Sequence, residues 1–380
     1  MAEPFRNLIN TDTVALAAQH LQRAWPLFDA VAFARQASDG LDGLDMKARA
    51  MQIATALQAH LPANFGDAAS VIEAALAPPG NADSQGDDLG QLRAGPHGLA
   101  GWVVWPLGEF VARAGQHDVP RAMAALHALT QRFSAEFAIR PFIQAAPEQV
   151  YPILHQWVND PSAHVRRLVS EGSRPRLPWG LRLQALVADP TPSVPLLLAL
   201  QDDPSLYVRR SVANHLNDIA KDHPGLVADW LHQHLPAATA ARRSLLRHAS
   251  RSLVKDGHAP TLAAWGLGQP LLGQAALALQ ASEVHLGGSL PMAVTLASTA
   301  DQPQTLVVDY VVHHVKANGQ TSPKVFKGWS LTLAPGETRE LQRQHPVRPI
   351  TTRRYFAGTH RVVLQVNGTP MAEAEFLLHV

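Results

Sequence analysis

The sequence predicts a mainly α chain, a solenoid of stacked helix pairs, followed by a small all-β sandwich of immunoglobulin-like type. Three observations carry this. The segment "DPSAHVRRLVSEGSRPRLPW" (160–179) is echoed by "DPSLYVRRSVANHLNDIAKDH" (203–223), with Asp-Pro-Ser and Val-Arg-Arg repeated in register 43 residues later. That period belongs to helical repeats of the HEAT type. Prolines 120, 141, 147, 161, 190, 204, 224, 236 and 260 punctuate an apolar-periodic stretch into short helices. Beyond residue 268 the pattern turns to short β-branched runs between Asn-Gly and Pro-Gly turn signals.

Taken in order, residues 11–76 read as helices. "TDTVALAAQHLQRAW" places Val14, Leu16, Ala17, Leu21 and Trp25 near a 3.6-residue period, and "LDMKARAMQIATALQAHL" ends at Pro62. Residues 78–98 are rich in Gly, Pro and acid and read as a loop. From 99 to 267 the Asp-Pro pairs at 160–161, 189–190 and 203–204 mark helix starts, Asp capping free amides and Pro occupying the first turn. In the second copy Val208, Val212, Leu216 and Ile219 form the apolar stripe, while Arg210, Asn214 and Asp218 share a polar face. In the first, Val165, Leu168 and Val169 face the core. "PMAVTLAS", "QTLVVDYVVHHV", "KVFKGWSLTL", "HRVVLQV" and "AEFLLHV" then read as strands, six or seven in all, with turns at 317–319, 334–336 and 366–368. The expected domains are 1–267, with its loop at about 78–98, and 271–380.

Composition narrows the function. With 46% apolar and 17% charged residues the chain can bury a sizeable core. It has no apolar run long enough to span a membrane and no visible signal peptide, so neither a membrane nor export is expected. The absence of cysteine excludes disulfides, thiolate catalysis and sulfur-ligated zinc, and fits a reducing, cytoplasmic setting. Nineteen histidines show no standard metal spacing, and no phosphate-binding or dinucleotide fingerprint occurs, so no metal or cofactor is expected. Charge is uneven: residues 1–110 hold six basic and twelve acidic side chains, residues 161–260 thirteen and eight. Five arginines against one acid between Pro161 and Arg182 form either a phosphate footprint or a solvated helix face.

Four residues stand out as candidates for chemistry. Glu171 is spaced to pair with Arg167 along the helix, and Asp218 lies on the polar face of the second copy. Glu136 sits among Phe133, Phe137 and Phe142 in what reads as a helix, and pairs with Arg132 or Arg140 or else lines a cleft. Trp179 lies in the Pro-bounded basic segment "RPRLPW", either as core or as a ring that stacks on a base.

At "TQRFSAEFAIRPFI", "HVRRLVSEGSRPRLPW" and "YVRRSVANHLNDIAKDHP" the sequence resembles the AlkC branch of the AlkD-like DNA alkylation-repair glycosylases. The resemblance covers nearly all of residues 1–267, and some members carry a C-terminal immunoglobulin-like domain. It implies a monofunctional glycosylase that removes cationic bases, chiefly 3-methyladenine and 3-methylcytosine, from double-stranded alkylated DNA without extruding them. It also implies that Glu136, Glu171 and Asp218 face the lesion nucleotide, with Trp179 against its sugar or base. Arg166, Arg167, Arg209 and Arg210 would divide between phosphate contacts and helix pairs, and Arg174 and Arg176 would serve the DNA backbone. The expected protein is a monomer that associates with the bacterial nucleoid through its DNA. The competing reading is a non-catalytic helical-repeat scaffold for nucleic acid or protein.

Overall fold

The computed structural model describes residues 5–79, 92–267, 269–350 and 353–380. Sixteen α-helices, from α1 (Thr11–Ala24) to α16 (Ala259–Ala264), precede eight strands, from β1 (Gly273–Leu279) to β8 (Thr369–His379), among the described residues. None of these helices is long and apolar enough to cross a membrane. Most of the expected loop, residues 80–91, lies outside the described residues. Leu99 then bridges back beside Leu76, at the end of α4 (Phe65–Ala75).

The chain divides into two compact units. One comprises Met1–Asp222 with Ala240–His248, the other His223–Thr239 with Ala249–Val380. In the first, α9 (Ala163–Gly172) packs on α12 (Leu206–Ile219), and these are the helices of the repeated motif. Val165, Leu168 and Val169 of α9, and Val208, Val212, Leu216 and Ile219 of α12, are all buried, as their spacing requires. The Asp-Pro pairs act one step earlier than expected. Asp160, Asp189 and Asp203 accept hydrogen bonds from the backbone two residues on, at 2.8, 3.0 and 2.8 Å. They close Asx turns ahead of the helices rather than capping them.

The first arginine of each pair locks this turn in place. Arg166 Nη1 donates to the carbonyls of Asp160 and Pro161, and Arg209 Nη1 to those of Asp203 and Pro204. Arg166 also grips the Asp203 carboxylate with two bonds, at 2.6 and 3.0 Å, so that one copy's arginine holds the next copy's turn.

In the second unit a three-stranded sheet (β1-β3-β6) and a five-stranded sheet (β2-β8-β7-β4-β5) enclose two apolar clusters, one around Val312 and Val362 and one around Val308 and Leu364. β4 (Gln304–Val315) pairs with β5 (Thr321–Leu333) and β7 (Gly358–Val366), and β3 (Ser289–Ser298) with β6 (Thr338–Pro346). The β7–β8 hairpin turns through Asn367 and Gly368, both at positive φ, as a two-residue Asn-Gly turn demands. Eight strands form rather than six or seven. β1, the three-residue β2 (Glu283–His285) and polar β6 are the three that none of the five quoted runs covers.

Candidate active site

Glu136 is not helical. It lies in a run of bends and turns between α6 (Val119–Thr130) and α7 (Arg140–Ala145). The Ser134 hydroxyl accepts from the Glu136 amide (3.4 Å) and donates to its carboxylate (2.7 Å), local bonds that compete with a helix. The partner of Glu136 is neither Arg132 nor Arg140. It is Arg167 of α9, whose Nη1 lies 2.6 Å from Oε2. Arg132 is used on backbone carbonyls at Ala77 and Ala128.

From Glu136 an alternating chain of charges runs between the repeat helices. Arg167 Nη2 reaches Glu171 Oε1 at 3.6 Å, and Arg174 Nη1 meets the same oxygen at 2.6 Å. Arg174 Nε donates to Asp218 at 2.9 Å, and Lys221 closes the series on Asp218 at 2.8 Å. The order is therefore Glu136, Arg167, Glu171, Arg174, Asp218, Lys221. Ser211 of α12 donates to the other Glu171 oxygen at 2.6 Å, and the Tyr207 ring lies 5.2 Å from the Arg167 guanidinium. His164 packs edge-on against Tyr207, its counterpart in the next copy.

Burial alone would raise the Glu171 carboxyl, but Arg167 and Arg174, helped by Ser211, hold it below its ordinary range. Arg167 is penalised by burial and still kept above its usual value, chiefly by Glu136. His215, buried on α12 and donating from Nδ1 to the Ser170 carbonyl, is pushed down to about 4 by burial, so it is neutral at pH 7. The carboxylates are unequally accessible. Side-chain exposure falls from 16% at Glu136 to 7% at Glu171 and 2% at Asp218. Within the charge series, Glu136 Oε1 is the carboxylate oxygen that has no hydrogen-bond partner among the described residues.

Trp179 reaches outward, with 65% of its surface exposed. It occupies the second central position of a turn closed by Gly180 N–H to the Leu177 carbonyl at 3.2 Å, after Pro178. Its φ of 64° is the left-handed value a type II turn wants there, normally supplied by glycine. Holding a tryptophan in it costs on the order of 1–3 kcal/mol, strain of a kind that concentrates at functional sites.

The arginines differ in their surroundings. Arg174 was expected at the DNA backbone, yet it is buried between Glu171 and Asp218, which take the charge it would offer a phosphate. Arg166 and Arg209 are turn clamps, and Arg167 belongs to the charge chain. Arg176 forks onto Asp222 with both bonds at 2.7 Å near the surface. Arg210 is exposed without a partner among the described residues. Sequence reasoning missed Tyr207, Ser211 and Arg140. The first two lie on the α12 face that carries Asp218, a helical spacing visible in "YVRRSVANHLND" but eclipsed there by the Arg210–Asn214–Asp218 series.

These features define a helical-repeat protein with a charged, partly open site and an appended immunoglobulin-like module. A family model described as the C-terminal Ig-like domain of the uncharacterised protein YhaZ matches residues 274–380. The uncharacterized protein YhaZ of Bacillus subtilis (strain 168) is 31% identical over 379 residues, covering 98% of each chain. The solved structure of Pseudomonas fluorescens alkylpurine DNA glycosylase AlkC, bound to DNA containing an abasic site analog, superposes with a TM-score of 0.87 at 35% identity over 99% of both chains. The chain belongs to the AlkC-type family of DNA alkylation-repair glycosylases, in its form with the C-terminal immunoglobulin-like domain.

Proposed function

We propose that this chain is a DNA glycosylase that excises cationic alkylated bases, 3-methyladenine and 3-methylcytosine, from duplex DNA as the first step of base excision repair. The observation that carries the reading is the alternating charge chain with one open carboxylate oxygen, in a protein so similar in fold to an alkylpurine glycosylase.

The chemistry suits these residues. A base that already bears a positive charge needs no general acid. As the N-glycosidic bond breaks, its electron pair passes to the base, which leaves neutral, and the deoxyribose becomes oxocarbenium-like. Water adds to C1′ and gives its proton to a carboxylate and then to solvent, leaving an abasic site. Glu136, through its open oxygen, orients the water and accepts that proton. Glu171 and Asp218, fixed by Arg167 and Arg174, supply preorganised negative charge toward the sugar. The Trp179 face packs against the lesion nucleotide and attracts the cationic base, an effect of about 1–2 kcal/mol when desolvated. No base extrusion is required of a site that reaches the lesion in place.

Arg210, Arg176 after release from Asp222, and exposed Arg182 beside Trp179 contact phosphates, which fix register without reading sequence. Residues 1–267 form the catalytic domain and 271–380 an accessory module, and the protein acts as a monomer on chromosomal DNA in the cytoplasm. The test is incubation of the purified chain with duplex DNA carrying 3-methyladenine or 3-methylcytosine. Free methylated base above the spontaneous background supports the reading. DNA binding without release replaces it with the scaffold.

A further inference from the structure

Among the described residues Arg140 heads the largest side chains that are fully buried, and it carries a charge. It opens α7, just beyond Glu136. Its guanidinium spans two distant backbone positions: Nε donates to the Leu181 carbonyl at 2.5 Å and Nη1 to the Gly172 carbonyl at 2.7 Å. Those carbonyls stand at the two ends of the segment that begins beside Glu171 and carries Trp179 on its left-handed turn. The stem closes on the same loop, since a Cβ on Gly180 would lie 3.3 Å from both Cδ and Nε of Arg140. Burial, then Arg174, lowers the Arg140 pKa to about 10, while Glu136, Asp218 and Glu171 oppose this, so it stays protonated at pH 7 and in the field of all three carboxylates.

We propose that Arg140 is the positioning residue that holds the strained Trp179 turn in register with the carboxylate–arginine chain. This rests on the glycosylase reading above. Two carbonyls at fixed separation match the planar fork of a guanidinium, which a lysine ammonium cannot reproduce. Arg140 touches neither base nor sugar. It acts through Trp179.

The test is a double-mutant cycle in single-turnover excision of 3-methyladenine from duplex DNA, with Arg140→Lys, Trp179→Ala and the two combined. Arg140→Lys is expected to slow excision about tenfold, with affinity for abasic-site DNA within about threefold of wild type. The combined variant is expected to be no more than about twofold slower than Trp179→Ala alone. Effects that multiply, or an Arg140→Lys variant at the wild-type rate, overturn the proposal. Should Arg140→Lys fail to fold, Gly180→Ala presses on the same contact from the loop side and is read in the same cycle. A second readout does not depend on activity. Amide hydrogen exchange across 173–181 is expected to quicken at least tenfold in Arg140→Lys, and unchanged protection contradicts the proposal. A wild-type chain that releases no base overturns the glycosylase reading instead, and hydrogen exchange still decides whether Arg140 fastens the loop.

Discussion

The two copies of the repeated motif share a frame and differ in what they do with it. In both, an aspartate closes a turn, the next helix buries a valine stripe, and the first arginine, Arg166 or Arg209, ties back to its own turn. At the following positions they part. Arg167 is built into the charge chain, whereas Arg210 faces solvent. Glu171 corresponds to Asn214, whose side-chain oxygen accepts from His248 at 2.8 Å. Leu168 corresponds to Ser211, which donates to Glu171 across the helix pair. A repeat conserves the residues that stack it. The carboxylate Glu171 and its donor Ser211 enter where equivalent positions, Asn214 and Leu168, are no longer alike.

Substitutions at matched positions put this comparison under strain, and the largest effect is expected at the second arginine. Arg167→Ala leaves Glu136 and Glu171 short of their partner and should destabilise the fold by about 3–5 kcal/mol, the cost of breaking a buried ion pair. Arg210→Ala should stay within about 0.5 kcal/mol. Urea unfolding of both measures the gap, and equal losses would erase the distinction drawn between the copies. At the first arginine the contrast is smaller. Arg166→Ala removes the fork onto Asp203 as well as the backbone bonds and should cost about 2–3 kcal/mol, against about 1 kcal/mol for Arg209→Ala, by the same measurement.

The second unit offers a different contrast, in pH. His314 and His345 are buried in the β-sandwich, and burial, reinforced by Arg353, pushes them down to about 3 and about 4. Their folded values lie below the unfolded one, so their share of stability is complete above about pH 6.5 and is lost as pH falls toward 4. Glu171 is also held low, but its share disappears only below about pH 4.5, where an unfolded carboxylate begins to protonate. Thermal melts at pH 7.5 and pH 5 should therefore show the β-sandwich weakening, with the charge chain still intact. A β-sandwich equally stable at both values would contradict the burial of these imidazoles. The smallest effect is expected at Asn214→Ala, within about 0.5 kcal/mol and with little change in excision.

How much of this could be read beforehand follows from the range of the interactions. The helices α9 and α12 were legible because their valines repeat locally, and β3, β4, β5, β7 and β8 because their apolar residues run together. β6, "TRELQRQHP", escaped notice because it is a polar edge strand whose place is set by pairing with β3. Glu171, Asp218, Glu136 and Trp179 were singled out, but their environment was not. The arginine of Glu136 stands on another helix, and helical spacing offered Arg132 and Arg140 instead. Arg140 was legible only as a helical-spacing partner for Glu136, because its true partners are not local. Its two carbonyl acceptors lie 32 and 41 residues away. The left-handed backbone at Trp179 was hidden for the opposite reason, since tryptophan is among the last residues expected at positive φ.

The proposed excision depends on Glu171, the carboxylate that the divergence between the copies brings in. Single-turnover release of 3-methyladenine by Glu171→Gln, measured beside its affinity for abasic-site DNA, tests this most directly. A rate lowered about a hundredfold or more, with affinity within about threefold of wild type, is the predicted result. A variant that binds and excises like the wild type would contradict it.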